Sequence, residues 1–339
     1  MMFLSLMQVA VIIDKGFEQN CHAYLSTFMD IAWAKQGIVY GTTQDPYKLL
    51  YMNQVANRIL FDAQCTPEIP QSWPKEKSFR VTAHGYLDNM EQAAQFGALI
   101  HKATQAPVNL SKPDLQVHCY ATTDGIIWGI DPAPKELYKR EYRIYTQSSM
   151  MRSTFGIQLL LCAGYTAKKT LLDPFCGSGT IPIEAALYAS KRSPHYYRKQ
   201  DFGVDVSEYD KTITDQKLPI FGYDYLLKRV RATNHNAKIA GVLNNIQTSR
   251  VDIDWIDTKH EQVDCIVTDP PHFSATKSVH KLYHRLFEQA ISLLSKQGCL
   301  VLAVEDKLNI ELPPELKITH SFIGHMGQQA YFVLKIQKH

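Results

Sequence analysis

Two short stretches decide the fold of this chain, LLDPFCGSGTIPIE at residues 171–184 and TDPPHF at residues 268–273. The first combines an apolar strand, an acidic residue at its end, a Gly-x-Gly loop and the first turn of a helix. Glycines at such a turn let a small cofactor approach a backbone that carries no side chains. The second stretch is the end of a strand followed by Asp-Pro-Pro, a rigid turn suited to holding the amino group of a nucleobase.

The spacing of the glycines disfavours two other kinds of nucleotide site. A dinucleotide fingerprint has a third glycine at the start of the helix, where this chain has Pro182. A P-loop continues as Gly-Lys-Ser/Thr, and no lysine follows Gly179. An ordinary strand-to-helix turn is the remaining alternative, and the matching motif downstream argues against it.

From residue 150 onward, predicted strands and helices alternate, as in a doubly wound sheet. Ligands of such folds bind at the carboxyl ends of the strands, where Asp173, Asp224, Asp252 and Asp269 fall. Asp224 has the position of a carboxylate that binds ribose hydroxyls. Asp252, or alternatively Asp254, is placed to accept a hydrogen bond from an adenine amino group.

Residues 173–180 resemble the first motif of class I RNA methyltransferases. The resemblance implies S-adenosylmethionine as the cofactor. The predicted cofactor-binding residues are Asp173, Phe175, Cys176, Gly177, Ser178, Gly179, Thr180, Asp224 and Asp252.

Asp269 is the predicted catalytic residue. The exocyclic amine of a nucleobase is a poor nucleophile, because its lone pair is delocalised into the ring. Hydrogen bonds to the Asp269 carboxylate and the Pro270 carbonyl, in a turn stiffened by Pro271, would hold the amine and stabilise its developing positive charge. We expect His272 or Phe273 to stack on the base, which must be swung out of any helix.

Residues 77–145 resemble the THUMP RNA-binding domain in their order of strands and in three short elements: Pro113-Asp114, Gly129-Ile130-Asp131 and the run KREYR at 139–143. Lys139, Arg140 and Arg143 alternate with tyrosines, which predicts contacts to RNA phosphates and bases. A solvated charge run with its tyrosines in the core is the alternative.

We therefore predict an α/β protein with three parts. Residues 1–70 form an N-terminal ferredoxin-like domain, residues 71–145 an α+β THUMP domain, and residues 146–339 a class I Rossmann-like methyltransferase domain. Within the first part, residues 17 to about 35 are predicted to be helical. An insertion at 193–217, which contains several tyrosine, arginine and lysine residues, is either a loop or a cover for the substrate.

Composition agrees with a soluble protein of more than one domain. A chain of 339 residues exceeds the usual size of one hydrophobic core. The formal net charge of +3 is compatible with nucleic-acid binding without requiring it. No apolar run approaches the ~20 residues of a membrane span, and the first residues lack the features of a signal peptide. We expect a cytoplasmic monomer with no membrane partner.

The cysteines and histidines give no sign of a metal site. Seven cysteines are scattered without a Cys-x-x-Cys pair, which argues against zinc and for a reducing compartment. His280 and His284 have metal-ligand spacing on a predicted helix, but Lys281 stands where a zinc protease has glutamate.

Over essentially its full length the chain resembles THUMP-containing RNA guanine-N2 methyltransferases, namely bacterial and archaeal tRNA enzymes and the amino-terminal half of a bacterial rRNA enzyme. The resemblance implies tRNA as the substrate and N2-methylguanosine as the product. Because His272 and Phe273 replace the usual Tyr-Gly after Asp-Pro-Pro, two alternatives stay open. One is rRNA guanine-N2 or adenine-N6 methylation, and the other is an RNA-binding protein with weakened catalysis.

Overall fold

The computed structural model describes residues 6–70, 73–133, 135–146, 151–271, 277–304 and 311–339, with the side chains of 277–279 left aside. Within these ranges the strands form two seven-stranded sheets. The first sheet belongs to the N-terminal part of the chain. The second lies in the part that carries both sequence motifs.

Strands of the first sheet run in the order β2-β3-β1-β4-β7-β6-β5. Their bounds are β1 Met7–Ile12, β2 Asp30–Lys35, β3 Ile38–Thr43, β4 Arg58–Gln64, β5 Phe79–His84, β6 Leu115–Thr122 and β7 Gly125–Asp131. The helices of this part are α1 Glu18–Leu25, α2 Pro46–Met52 and α3 Asn89–Thr104.

One continuous sheet spans the two N-terminal segments that the sequence analysis separates. Strand β4 pairs with β7 in antiparallel fashion, with Phe61 opposite Ile130 and Gln64 opposite Trp128. Helix α3 packs on the THUMP-like half, where Phe96 and Ile100 join a buried cluster around Trp128. The boundaries at residues 70 and 145 stay a prediction, and the sheet is continuous across the first of them.

The helix predicted from residue 17 to about 35 is wrong in its second half. Helix α1 ends at Leu25, after which the Ser26 and Thr27 hydroxyls donate to the carbonyls of His22 and Tyr24. Such bonds let serine and threonine compete with the backbone ladder of a helix. Residues 30–35 instead form β2, because pairing with β3 overrides the local helical preference.

Strands of the second sheet run in the order β10-β9-β8-β11-β12-β14-β13. Their bounds are β8 Leu171–Asp173, β9 Ile220–Asp224, β10 Gln247–Arg250, β11 Val263–Thr268, β12 Leu294–Val304, β13 Leu316–Met326 and β14 Gln329–Lys338. The helices are α4 Ser153–Cys162, α5 Thr180–Ser190, α6 Leu227–Ala240 and α7 Lys277–Leu293.

The second sheet is doubly wound, as predicted. Strands β10, β9, β8, β11 and β12 are parallel, and β13 and β14 form an antiparallel hairpin at one edge. From β8 the chain continues outward on one side to β9 and on the other to β11. Strand order therefore reverses at β8, which is where ligands of such sheets bind.

A buried ion pair joins the two halves of the molecule. Glu184, on α5, accepts hydrogen bonds from Arg140 Nε (3.1 Å) and Arg140 Nη2 (3.2 Å). Gln54 Nε2 and the Tyr142 hydroxyl donate to the same carboxylate at 3.1 and 3.0 Å. The side chains of Arg140 and Glu184 have no exposed surface. Residues from the N-terminal part, the connecting segment and α5 thus share one polar cluster.

The insertion at 193–217 contains two 3₁₀ helices, Tyr196–Phe202 and Ser207–Thr212. It packs on the N-terminal part of the chain: Tyr51 OH donates to Asp210 (2.9 Å), and Tyr209 OH donates to Asp45 (2.8 Å). Among the described residues, no helix combines the length and apolar content needed to span a membrane.

Candidate active site

Three acidic residues meet at the carboxyl edge of the second sheet. Asp173 ends β8, Asp224 ends β9, and Asp269 directly follows β11. Because β9, β8 and β11 are parallel neighbours, these ends lie side by side. Asp252 follows β10 on the outer side of β9. The four predicted strand-end acids therefore share one edge.

The glycine loop between β8 and α5 depends on left-handed backbone at both glycines. Gly177 has φ +57° and Gly179 has φ +92°, and Gly179 is the residue that precedes the helix. A Cβ atom on Gly179 would lie 2.7 Å from Thr233 Cγ2. A hydrogen bond from Cys176 N to Tyr223 O (2.8 Å) fastens the loop to β9.

Two side chains of α6 donate hydrogen bonds to backbone carbonyls of the loop. Thr233 Oγ1 donates to the Gly177 carbonyl at 3.0 Å, and Asn236 Nδ2 donates to the Ser178 carbonyl at 2.9 Å. Asn236 also exchanges two 3.0 Å hydrogen bonds with the backbone of Tyr145. The loop is thereby tied both to α6 and to the segment that leads from the N-terminal part.

Asp173 is buried, and its carboxylate accepts two hydrogen bonds from within the protein. Thr268 Oγ1 donates to Asp173 at 2.7 Å, and the Phe175 N–H donates at 3.2 Å. Burial is the main cause that raises the pKa of Asp173 from 3.8 to about 7; the two hydrogen bonds lower it, and the nearby charges of Asp269 and Asp224 add to the rise. The carboxylates of Asp269 and Asp224 therefore lie close enough to Asp173 to disfavour its charged form.

Asp224 is also buried, and its carboxylate binds the glycine loop from the end of β9. It accepts hydrogen bonds from the N–H groups of Gly177 (3.2 Å) and Leu226 (2.9 Å). The guanidinium of Arg229 lies 3.4 Å away. Burial raises the pKa of Asp224, and these partners lower it. The carboxylate is thus held in place at the end of β9.

The other predicted cofactor-binding residues have different surroundings. Cys176 is buried beside Thr233, and burial raises the pKa of its thiol well above the usual value, so it is no nucleophile. Phe175 packs against the apolar cluster under the sheet edge. Thr180 is buried in the first turn of α5. Asp252 is exposed and accepts a hydrogen bond from the Asp254 N–H at 3.3 Å.

Asp269 is half-buried, and Pro270 behind it is buried. Burial raises the pKa of Tyr283, a buried residue of α7, and the negative charge of Asp269 adds to this shift. Asp269 therefore lies near α7 as well as near Asp173. His272 and Phe273, the predicted stacking residues, lie outside the described residues.

Only part of the predicted RNA-binding run is exposed. Lys139 is exposed and forms a 2.8 Å ion pair with Glu136. Arg143 is half-buried and donates to the Met151 carbonyl at 2.9 Å. Arg140 is inside the molecule, bound to Glu184. Its position does not fit the predicted contact with RNA, because no part of its side chain reaches the surface.

A family model matches residues 140–321, which is more than half of the chain and includes the whole of the site. The family is described as UPF0020, the RMKL-like methyltransferase domain. The chain belongs to this methyltransferase family.

Curated relatives of this methyltransferase act on RNA. The tRNA (guanine(6)-N2)-methyltransferase of Methanocaldococcus jannaschii is 30% identical over 257 residues, which cover 69% of this chain and 67% of the relative. The ribosomal RNA large subunit methyltransferase K/L of Buchnera aphidicola is 26% identical, over 75% of this chain and 42% of the relative. The chain therefore matches less than half of the length of the rRNA enzyme.

Solved structures share the fold of this methyltransferase over nearly its full length. TrmN from Thermus thermophilus covers 98% of the chain with a TM-score of 0.74 at 21% identity. SMU.472, solved in complex with SAH, covers 98% with a TM-score of 0.78 at 18% identity. The predicted α/β fold, with an N-terminal part followed by a Rossmann-like methyltransferase domain, is confirmed, and the THUMP assignment of the N-terminal part stays a prediction.

The sequence analysis missed four residues that shape the site of this methyltransferase. They are Thr233 and Asn236, which bind carbonyls of the glycine loop, Thr268, which donates to Asp173, and Arg229, which approaches Asp224. A signal was present for the first pair. Thr233 and Asn236 are spaced by three residues and share a helix face with buried Val230 and Ala237.

Proposed function

We propose that the protein transfers a methyl group from S-adenosylmethionine to the exocyclic N2 of a guanosine in tRNA. The observation that carries the proposal is the row of carboxylates, Asp173, Asp224 and Asp269, around a glycine loop. The identity to an enzyme named for guanine-N2 methylation of tRNA supports the choice of substrate.

The described residues fit this cofactor in charge and in shape. S-adenosylmethionine carries positive charges on its sulfonium and amino groups, and it supplies an electrophilic methyl group when bound. Burial and, to a smaller extent, the charges of Asp269 and Asp224 raise the pKa of Asp173 at this edge, and a cation in front of Asp173 and Asp224 would favour their ionised forms. Gly177 and Gly179 leave the loop backbone open to approach. Asp224 would bind the ribose hydroxyls, and Asp252 the adenine amino group.

Asp269 would act on the nucleobase. Its carboxylate and the Pro270 carbonyl accept hydrogen bonds from the guanine amine and so orient the nitrogen lone pair toward the methyl group. The same carboxylate stabilises the positive charge that develops on nitrogen during transfer. No base is needed beforehand, because the proton leaves once the nitrogen is cationic. Stacking of the extruded base is assigned to His272 or Phe273.

The THUMP-like segment would bind the RNA and present it to the site. Exposed Lys139 is the best placed of the three predicted RNA-binding residues, with half-buried Arg143 beside it. The relation to K/L enzymes favours rRNA as the second candidate substrate.

We propose that the domain boundaries lie at residues 70 and 145 and that the protein is a cytoplasmic monomer. The seven unpaired cysteines suit a reducing compartment.

The decisive experiment is methyl transfer from labelled S-adenosylmethionine to unmodified tRNA and rRNA, followed by mass spectrometry of the nucleosides. We expect N2-methylguanosine in tRNA. Label found only in rRNA, or on adenine N6, would replace the substrate assignment. Folded protein that binds RNA and yields no methylated nucleoside would overturn the enzymatic function.

Asp269→Ala is expected to abolish transfer and leave cofactor affinity unchanged, because the residue contacts the base. Glu261→Ala, which removes an exposed carboxylate just before β11, is the control and should transfer normally. Loss of cofactor binding in Asp269→Ala would assign Asp269 to the cofactor site instead. Calorimetric titration of the cofactor makes the distinction.

A further inference from the structure

A cavity lies away from the glycine loop, between the N-terminal part and the methyltransferase domain. Its volume is about 550 Å³, within the ~300–1,000 Å³ of ligand sites, which occur preferentially at such boundaries. The walls come from α1, α2, the end of α5 and the 3₁₀ helix Ser207–Thr212. None of its residues belongs to the proposed catalytic site.

Aromatic rings form much of the cavity wall. Tyr24 and Phe28 pack edge to face with ring centroids 5.3 Å apart, and the ring of Tyr188 lies 6.1 Å from that of Tyr24. Tyr209 lines another part of the wall, and its hydroxyl donates to Asp45. Such rings offer flat apolar faces on which any of the nucleobases can stack.

Three cationic side chains, Lys48, Lys191 and Arg192, line the same cavity, and Glu208 is the one carboxylate among its lining residues. Within the described part of the chain, Lys48 and Lys191 have no ion-pair partner, and both are exposed. Arg192 is 9% exposed and binds Asp215 through Nη2 at 2.8 Å. Its buried Nε has no hydrogen-bond partner among the described residues. The cavity thus joins aromatic surface to an excess of positive charge.

We propose that this cavity binds a nucleotide, with the base against Tyr24 and Tyr188 and the phosphate near Lys48 and Lys191. If the proposed function holds, on which this step rests, the nucleotide belongs to the RNA substrate. Along α5, Tyr188 in the cavity wall lies eight residues, or about 12 Å, beyond Thr180 at the glycine loop. The bound nucleotide is therefore a different one from the guanosine at Asp269. A free mononucleotide is the other source of the same chemistry.

The test uses the full chain and two variants, Tyr188→Ala and Lys191→Gln. Affinity for tRNA is measured by filter binding at several salt concentrations, and affinity for guanosine monophosphate by equilibrium dialysis. We expect Tyr188→Ala to weaken tRNA binding about tenfold, because a stacked base is lost. Lys191→Gln should lower the salt slope by about 0.7, the value for one contact to single-stranded phosphate. Lys317→Gln, an exposed lysine of β13, is the matched control.

The outcomes distinguish a failure of the proposed nucleotide site from a failure of the proposed methyltransferase function. Weaker tRNA binding in both variants, with normal cofactor affinity, supports an RNA nucleotide in the cavity. Weaker guanosine monophosphate binding with unchanged tRNA binding supports the site and assigns it to a free mononucleotide. Unchanged binding of both probes in both folded variants overturns the proposal. Absence of methyl transfer by the wild-type protein would contradict the proposed function alone, because neither binding assay depends on transfer.

Discussion

At the scale of single residues, Asp173 shows how a carboxylate is altered by its position in the fold. It is buried at the end of β8 with two other carboxylates near it, and its pKa is raised from 3.8 to about 7. Between these pH values the folded protein keeps a proton that the unfolded chain has lost. The stability that comes from this group is therefore present below about pH 4 and is lost as the pH rises to about 7.

Asp173→Asn should remove this pH dependence, because an amide neither ionises nor repels its neighbours, and its oxygen can still accept from Thr268. We expect the variant to gain stability relative to the wild type between pH 4 and 7, by a few kcal/mol at most. Urea unfolding at several pH values measures the difference. A constant difference across this range would show that Asp173 is ionised in the folded protein throughout.

The sequence predicted the positions of residues that follow directly from their own strand, and it missed contacts that depend on distant partners. Asp173, Asp224 and Asp269 were found because each follows its own strand, and parallel strands bring such ends together. The alternation of Lys139, Arg140 and Arg143 with tyrosines predicts that Arg140 contacts RNA. Its actual partner, Glu184, lies 44 residues away on a buried helix, and only the packing of α5 brings the two together.

At the scale of elements, the turn from β8 to α5 depends on the absence of a side chain at Gly179. A Cβ atom there would meet Thr233 Cγ2 at 2.7 Å, and φ is +92°. We expect Gly179→Ala to weaken cofactor binding at least about tenfold, since ~1 kcal/mol of backbone strain adds to a clash that displaces the loop.

Gly203→Ala is the matched control for that change. Gly203 also has positive φ, +67°, but a Cβ atom there meets nothing within 4 Å. The control should lose about 1 kcal/mol of stability and keep its cofactor affinity. Calorimetric titration and urea unfolding of both variants give the comparison. Equal affinities in the two would mean that the clash with Thr233 is relieved without moving the loop.

Elements were predicted well where hydrophobic periodicity and glycine punctuation agree, as in the doubly wound half of the chain. The miss at residues 30–35 has a physical cause. This stretch, DIAWAK, has no alternation strong enough to indicate a strand, and it becomes β2 only through its pairing with β3. Strand formation depends on such partners more than helix formation does.

At the scale of the whole molecule, the pair Arg140–Glu184 links the segment that follows the N-terminal sheet to the helix that begins at the glycine loop. Arg140→Ala would leave the Glu184 charge buried and without its ionic partner. We expect a loss of about 3–5 kcal/mol in the free energy of unfolding. Lys139→Ala, the exposed neighbour, should change stability by no more than ~0.5 kcal/mol.

Urea unfolding of the two variants measures this contrast, and tRNA binding gives a second reading. Lys139→Ala should weaken tRNA binding without affecting stability, as expected of an exposed phosphate contact. Similar stabilities for both variants would show that Glu184 is neutral or re-paired when Arg140 is removed. The two residues, adjacent in sequence, would then not have the separate roles that their burial indicates.

The shared N-terminal sheet also bears on how the molecule can be divided. The ladder between β4 and β7 crosses the predicted boundary after residue 70. Cutting the chain there would leave each fragment with an exposed strand edge whose backbone N–H and C=O groups have lost their hydrogen-bond partners. Such edges promote aggregation and strand exchange between molecules. The ferredoxin-like and THUMP-like segments are therefore expected to be inherited, expressed and lost together, as one structural unit.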